Sequence, residues 1–125
     1  MRKITPANGS DPDVPLSMGI AHDDVVYVSG QAAFDPETGE VVGDTVGEET
    51  TQTLENVESV LESAGASLDD VVKTLVFLVD VDDFDEMNEA YREQFSEPYP
   101  ARSAVEVGDL AADIRVEIEA IAITD

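Results

Sequence analysis

Two short segments of the chain carry residue types that can hold a carboxylate and move a proton. Arg102 stands in Pro100-Ala101-Arg102-Ser103-Ala104-Val105-Glu106-Val107, and Glu117 and Glu119 stand in Val116-Glu117-Ile118-Glu119-Ala120-Ile121-Ala122. A guanidinium is a planar fork suited to gripping a carboxylate through two parallel hydrogen bonds. A well-formed charge-assisted bond of this kind contributes about 1.5–3 kcal/mol. The small and apolar neighbours of Arg102 leave two readings open, a ligand carboxylate or an internal ion pair with one of the chain's many acids. On a strand, Glu117 and Glu119 share one face with Ile121 and Ile123, while Val116, Ile118, Ala120 and Ala122 take the other. Partial desolvation there raises a carboxyl pKa and makes the group usable as a general acid or base. The alternatives for Glu117 are an exposed strand face or a pairing with Arg115 or Arg102.

Other polar residues are weaker candidates. Asn88 lies four residues after Phe84 and three before Tyr91, beside an apolar stripe, where a buried amide needs partners; it can orient a loop or edge a pocket. Ser29-Gly30-Gln31 ends a strand, and glycine there allows close approach of backbone to a ligand. No base is near Ser29 in the sequence, so a serine nucleophile is not expected. His22, the only histidine, adjoins Asp23-Asp24 and reads as a solvated turn residue. Asp80, Asp82, Asp83 and Asp85 lack the central glycine and terminal glutamate of a calcium loop, so they read as a helix cap and a solvated face, with no metal site expected.

The elements that must position these residues follow from periodicity. Lys3–Thr5 is expected as a short strand, followed by a Pro/Gly/Asp-rich loop through Pro15. Residues 17–22 and 25–29 read as a hairpin around Asp23-Asp24, and Asp35-Pro36-Glu37-Thr38-Gly39 as a turn. Leu54, Val57, Leu61 and Ala64 form one stripe of a helix over 48–64, with Gly65 past its end. The β-branched run 71–79 is expected to be a strand covered on both faces. Asp82 or Asp83 can cap a second helix with the stripe Phe84, Met87, Tyr91 and Phe95, ended before Pro98. Residues 103–107 and 114–123 are the last strands. The order strands, helix, strand, helix, strands predicts an α+β fold with two helices on one face of a mixed sheet.

Composition bounds what this fold can do. The 125 residues fit a single domain, 1–125, and 42% of them are hydrophobic, enough for a packed core. Cysteine is absent, which excludes disulfides and thiolate chemistry. Acidic residues number 29 against 6 basic ones, for a net charge of −23. No basic stripe exists to neutralise phosphates, so nucleic-acid binding is not expected. Such charge repels itself at low salt and is screened at molar salt, where the Debye length is about 3 Å, which points to a very salty cytoplasm and a halophilic source. The apolar periodicity argues against disorder. No apolar run is long enough for a bilayer, and the segment Met1–Pro6 lacks the apolar core of a signal peptide. A cytoplasmic, membrane-free protein is expected.

The two opening segments, together with Val28-Ser29-Gly30-Gln31, Pro36-Glu37-Thr38-Gly39-Glu40, Leu54-Glu55-Asn56-Val57, Val72-Lys73-Thr74 and Phe84 through Asn88 to Tyr91, resemble the RidA (YjgF) reactive-intermediate deaminase family in order and spacing over nearly the whole chain. The resemblance implies a chorismate-mutase-like subunit and a homotrimer with ligand clefts between subunits. It implies cofactor-free hydrolysis of 2-enamine and 2-imine acids, such as 2-aminoacrylate and 2-aminocrotonate, to 2-keto acids and ammonia. By the same resemblance Arg102 holds the substrate carboxylate and Glu117 positions or activates the attacking water. Gly30 and Ala104 contribute backbone groups, while Ser29 and Asn88 line or support the cleft. Two positions depart from the better-known members. Leu16 replaces a tyrosine, making one wall of the cleft apolar, and Ala104 replaces a cysteine at a backbone contact. A non-catalytic trimer that binds small carboxylates or senses metabolites, favoured by Leu16, is the second reading. A chaperone-like or ribonuclease role is the third, opposed by the charge.

Overall fold

The computed structural model describes residues 1–9 and 11–125. Six strands form one mixed sheet in the order β1-β2-β3-β6-β4-β5, made of β1 (Arg2–Ile4), β2 (Gly19–His22), β3 (Val25–Gln31), β4 (Val71–Leu78), β5 (Ala101–Glu106) and β6 (Val116–Ile123). Every pairing is antiparallel except β4 with β5. Helix α1 (Val46–Ser63) links β3 to β4, and α2 (Phe84–Gln94) links β4 to β5. The chorismate-mutase-like α+β architecture expected from the sequence is present. The last strand, β6, threads between β3 and β4 and so closes the sheet at its centre.

The core lies between the helices and one face of the sheet. Leu54, Val57, Val60 and Leu61 of α1 and Met87 and Tyr91 of α2 pack on Val26 and Val28 of β3, Val76 and Leu78 of β4, and Val116, Ile118, Ala120 and Ala122 of β6. The alternation read in the last strand holds: the even-numbered residues are buried, and Glu117, Glu119 and Ile121 lie half-buried on the other face. Burial of this apolar stripe is the main stabilising term, at roughly 25 cal/mol per Å² removed from water.

Several expectations need correction. β4 is not covered on both faces within the chain. Its buried residues are Val71, Thr74, Val76 and Leu78, whereas Val72 is exposed and Leu75 and Phe77 are half-buried. The helices supply cover to one face only, so the second apolar face of β4 has no cover from its own chain. Neither Asp82 nor Asp83 caps α2 through its side chain; a 3-10 turn, Val81–Asp83, runs into the helix, and Asp80 caps that turn by accepting from the Asp82 N–H at 2.9 Å. Phe84 stays partly exposed at the end of its stripe. β1 starts one residue earlier than expected, and β5 begins at Ala101. The loop expected before Pro15 is present on both sides of Ser10, which lies outside the described residues.

Two local devices fix α1. Thr45 Oγ1 accepts from the Glu48 N–H at 3.1 Å, and the Glu48 carboxylate reaches back to the Asp44 N–H at 2.8 Å, satisfying donors that a helix start leaves open. At the other end Gly65, with φ +80 in the left-handed region that favours glycine, lets Ala66 N–H bond Leu61 O at 2.9 Å and Gly65 N–H bond Glu62 O at 3.0 Å.

Candidate active site

Arg102 enters from β5 on the helix side of the sheet, since its Cα partner is the buried Thr74. Its Nη1 donates to Asn88 Oδ1 at 2.7 Å. Its guanidinium carbon lies 4.9 Å from the centre of the Tyr91 ring and 5.7 Å from that of Phe84. Lys3, Arg92 and Arg115 pair with carboxylates, but Arg102 has no ion-pair partner among the described residues. The internal ion pair left open by the sequence is therefore not formed. Half-buried Lys73 also has no ion pair among the described residues, so what sets Arg102 apart is its bond to Asn88 and its place between aromatic rings.

The guanidinium borders a cleft of about 310 Å³ lined by Asn88, Tyr91, Arg92, Tyr99, Pro100 and Arg102. Two of the chain's six cations line it and no acid does. A larger hollow of about 750 Å³ lies under the N-terminal loop, but Asp11, Asp13 and Asp35 line it without any cation. It therefore suits a carboxylate ligand poorly. Tyr91 carries a phenol that burial pushes above its ordinary pKa, ahead of the opposing pulls of its Thr74 hydrogen bond and the Arg102 charge. It stays neutral and does not consume the Arg102 charge.

A second cluster forms on the opposite, open face. Between Val28, paired with Ala120, and Gln31, paired with Ile118, β3 has two residues facing the single Glu119 of β6. This bulge at Ser29-Gly30 re-aims the strand end. The Glu117 carboxylate lies across the Cα of Gly30, so closely that a Cβ at position 30 would overlap Glu117 Oε2. That is the physical reason for glycine here. Burial first, then the neighbouring Glu119 charge, hold the Glu117 carboxyl above its usual pKa. Arg115 is not its partner, because Glu49 holds that guanidinium and also accepts from the Arg115 backbone N–H at 2.8 Å. Ser29 Oγ donates to the Ser17 carbonyl at 2.6 Å, and Ser29 N–H bonds Met18 O at 2.9 Å, extending the hairpin one step beyond β2. Leu16 directly precedes this step and is 49% exposed.

The expected site residues thus fall into two groups. Arg102 and Asn88 meet, with Ala104 two residues further along the same side of β5 and packed against the core. Ser29, Gly30 and Glu117 meet, with Leu16 adjoining. The chain does not bring Arg102 and Glu117 together: Glu117 pairs with Phe77 on the open face, and Arg102 with Thr74 beneath the helices. Sequence reasoning missed Tyr91, Phe84 and Tyr99 as the walls around Arg102. It had read the first two as core stripe, which an aromatic at helical spacing usually is. No group of three or more His, Cys, Asp or Glu side chains among the described residues is arranged to hold a metal ion.

Residues 8–124 match the family described as Endoribonuclease L-PSP. The human 2-iminobutanoate/2-iminopropanoate deaminase is 40% identical over 122 residues, covering 98% of this chain and 89% of that protein. The YjgF gene product of E. coli superimposes with a TM-score of 0.93 at 38% identity, over the full length of both chains. The structure of E. coli TdcF with bound serine does so with a TM-score of 0.92 at 36% identity, also over the full length of both. With the fold, the motif order and these likenesses in agreement, the chain belongs to the Endoribonuclease L-PSP family, the RidA (YjgF) group of proteins that its sequence resembles.

Proposed function

We propose that the protein hydrolyses reactive 2-imino and 2-enamino acids, of the 2-aminoacrylate and 2-aminocrotonate type, to 2-keto acids and ammonia. The observation that carries this reading is the Arg102 cleft, a hollow lined by two cations and no acid on a chain of charge −23. Its unpaired guanidinium is oriented by Asn88 and suits a substrate carboxylate. Relatives named as imine deaminases, and a relative holding serine, support a small amino- or imino-acid ligand.

An imine is already electrophilic at neutral pH, so the protein has three tasks: hold the carboxylate, place a water, and move protons. Arg102 does the first. Glu117, with its raised pKa, takes a proton from the attacking water and returns one to the departing nitrogen. The hydroxyl adds to the imine carbon while nitrogen gains the first proton; the carbinolamine hydroxyl proton then passes by way of Glu117 to the nitrogen, the C–N bond breaks, and ammonia leaves as the carbonyl forms. Backbone groups at Gly30 and Ala104, with Ser29 beside Glu117, orient the substrate. No step needs a cofactor or metal.

Because Arg102 and Glu117 face opposite sides of the sheet, a complete site needs the Arg102 half of one copy beside the Glu117 half of another. The half-covered face carrying Leu75, Phe77, Ile121 and exposed Tyr27, Val105 and Ile123 supplies apolar area for such an assembly, as a homotrimer. Each copy is taken as one domain over 1–125, working in the cytoplasm; no helix of the described residues is long and apolar enough to cross a membrane.

The test is 2-keto acid release in high-potassium buffer, with a pyridoxal-phosphate dehydratase generating the imine in situ. Wild-type protein accelerates release, and Arg102→Ala lowers kcat/KM about 100-fold without loss of fold. Equal acceleration by both proteins rules out the arginine anchor. Carboxylate binding without any acceleration favours the second reading, a non-catalytic carboxylate binder, for which exposed Leu16 in place of a phenol is the supporting feature.

A further inference from the structure

Tyr91 and Thr74 form a unit that no carboxylate-binding role requires at first sight. Thr74 is 1% exposed and Tyr91 5%, and their hydroxyls share a 2.7 Å hydrogen bond in the core. A buried phenol needs such a partner, and here the partner comes from the β4 residue that is also the cross-strand neighbour of Arg102. Three residues therefore interlock. Thr74 and Arg102 sit side by side on adjacent strands, and Tyr91 descends from α2 with its hydroxyl on the first and its ring 4.9 Å from the guanidinium of the second. Phe95 packs against the Tyr91 ring, with centroids 4.7 Å apart, and together with the Thr74 bond limits its movement.

The geometry points to Tyr91, locked by Thr74, as the positioning residue of Arg102: its ring is the platform against which the guanidinium lies, with Asn88 fixing the in-plane rotation, so that the outer N–H groups are presented as a fixed fork to a ligand carboxylate. The inference rests on the reading of Arg102 as a carboxylate anchor and adds what holds that anchor still. An aromatic face attracts a guanidinium without neutralising it. An acid in the same place would hold Arg102 equally well but would compete with the ligand. The neutral phenol, kept so by burial, is consistent with this division of labour. A side chain with several rotatable bonds that is already oriented loses less freedom when it binds, so the platform acts on affinity and leaves the chemical step alone.

The probe is 2-oxobutanoate, titrated calorimetrically into wild-type protein and variants in high-potassium buffer, with KM and kcat for the imine measured alongside. Tyr91→Phe keeps the ring and loses the Thr74 bond; Tyr91→Leu loses both. The expected order is a Kd near wild type to about threefold weaker for Tyr91→Phe, about tenfold weaker for Tyr91→Leu, and no detectable binding for Arg102→Ala. For the two Tyr91 variants KM rises in the same order while kcat changes by less than about twofold. Since Tyr91 is also a core residue, Thr74→Val supplies a second route: it keeps the volume, frees the phenol to tilt, and is expected to weaken binding about threefold. A purely structural role would lower the melting temperature of these variants and leave Kd unchanged, and that result overturns the proposal. Binding that survives Arg102→Ala overturns the anchor reading and this inference together. Binding lost in Arg102→Ala but unchanged in folded Tyr91→Leu and Thr74→Val overturns the platform alone.

Discussion

Glu117 sits where ionising a carboxylate is costly, among strand neighbours that exclude water and beside a second acid. Its folded-state pKa is raised, so the folded protein holds this proton more tightly than the unfolded chain does. Its contribution to stability is therefore fully present below the unfolded pKa and is lost as pH rises through the folded value. Three variants test this. Glu117→Gln is neutral to slightly stabilising at pH 7 in thermal melts, yet its turnover falls on the order of 100-fold or more and the acid limb of the pH profile disappears. Glu119→Gln removes the neighbouring charge that, after burial, raises the Glu117 pKa, so the acid limb of kcat/KM shifts to lower pH; an unmoved limb would separate the limb from Glu117. Gly30→Ala is expected to push the carboxylate aside and lose turnover while the fold survives, because the atoms that must give are the end of a flexible side chain. The residues most legible in the sequence were those whose type clashed with their setting, a cation among small residues and acids on an apolar strand. Tyr91 was illegible as a platform because an aromatic at helical spacing looks the same whether it fills a core or supports a guanidinium.

At the scale of elements, α1, α2 and β6 are tied by acids whose roles no periodicity reveals. Glu49, 1% exposed in the first turn of α1, holds both the backbone N–H and the guanidinium of Arg115 at the entry to β6. Glu86 of α2 accepts from the Gly47 N–H at 2.8 Å, joining the two helices where the α1 dipole favours negative charge. An acid in a helix's first turn reads from sequence as a solvated cap, so neither tie was foreseen; the burial of Glu49 depends on where β6 threads, which is a long-range fact. Boundaries moved for a similar reason, with α2 prefaced by a 3-10 turn that its apolar stripe does not encode. Arg115→Met should destabilise by about 3 kcal/mol in denaturant titration, because it strands a buried carboxylate. The double variant Glu49→Leu with Arg115→Met should recover most of that loss. Failure of the double variant to recover would mean that the backbone bond, and not the ion pair, is what the entry to β6 depends on.

Over the whole molecule, two features pull against each other. The half-covered sheet face suits a partner copy, and the proposed site needs one too, yet each copy brings a charge of −23. Of the acids, Glu49 alone is buried among the described residues, so nearly all of that charge faces solvent or a neighbouring copy. In the proposed trimer three copies would gather three times −23, or −69, within one assembly. At about 1 M salt the Debye length is about 3 Å and these charges scarcely interact; at about 0.01 M it is about 30 Å, comparable with the particle itself. Repulsion then acts between copies as well as within each one, while the apolar contact gains nothing from low salt to offset it. If the protein assembles as proposed, dialysis from molar to millimolar KCl is expected to dissociate the trimer, abolish the proposed turnover because each site would be split between copies, and then loosen the subunit. Light scattering, keto acid release and circular dichroism should change in that order as salt falls. Mass, activity and dichroism unchanged across the series would show that the acidic surface is tolerated without screening, and loss of dichroism before mass would place the repulsion within the subunit and not between copies.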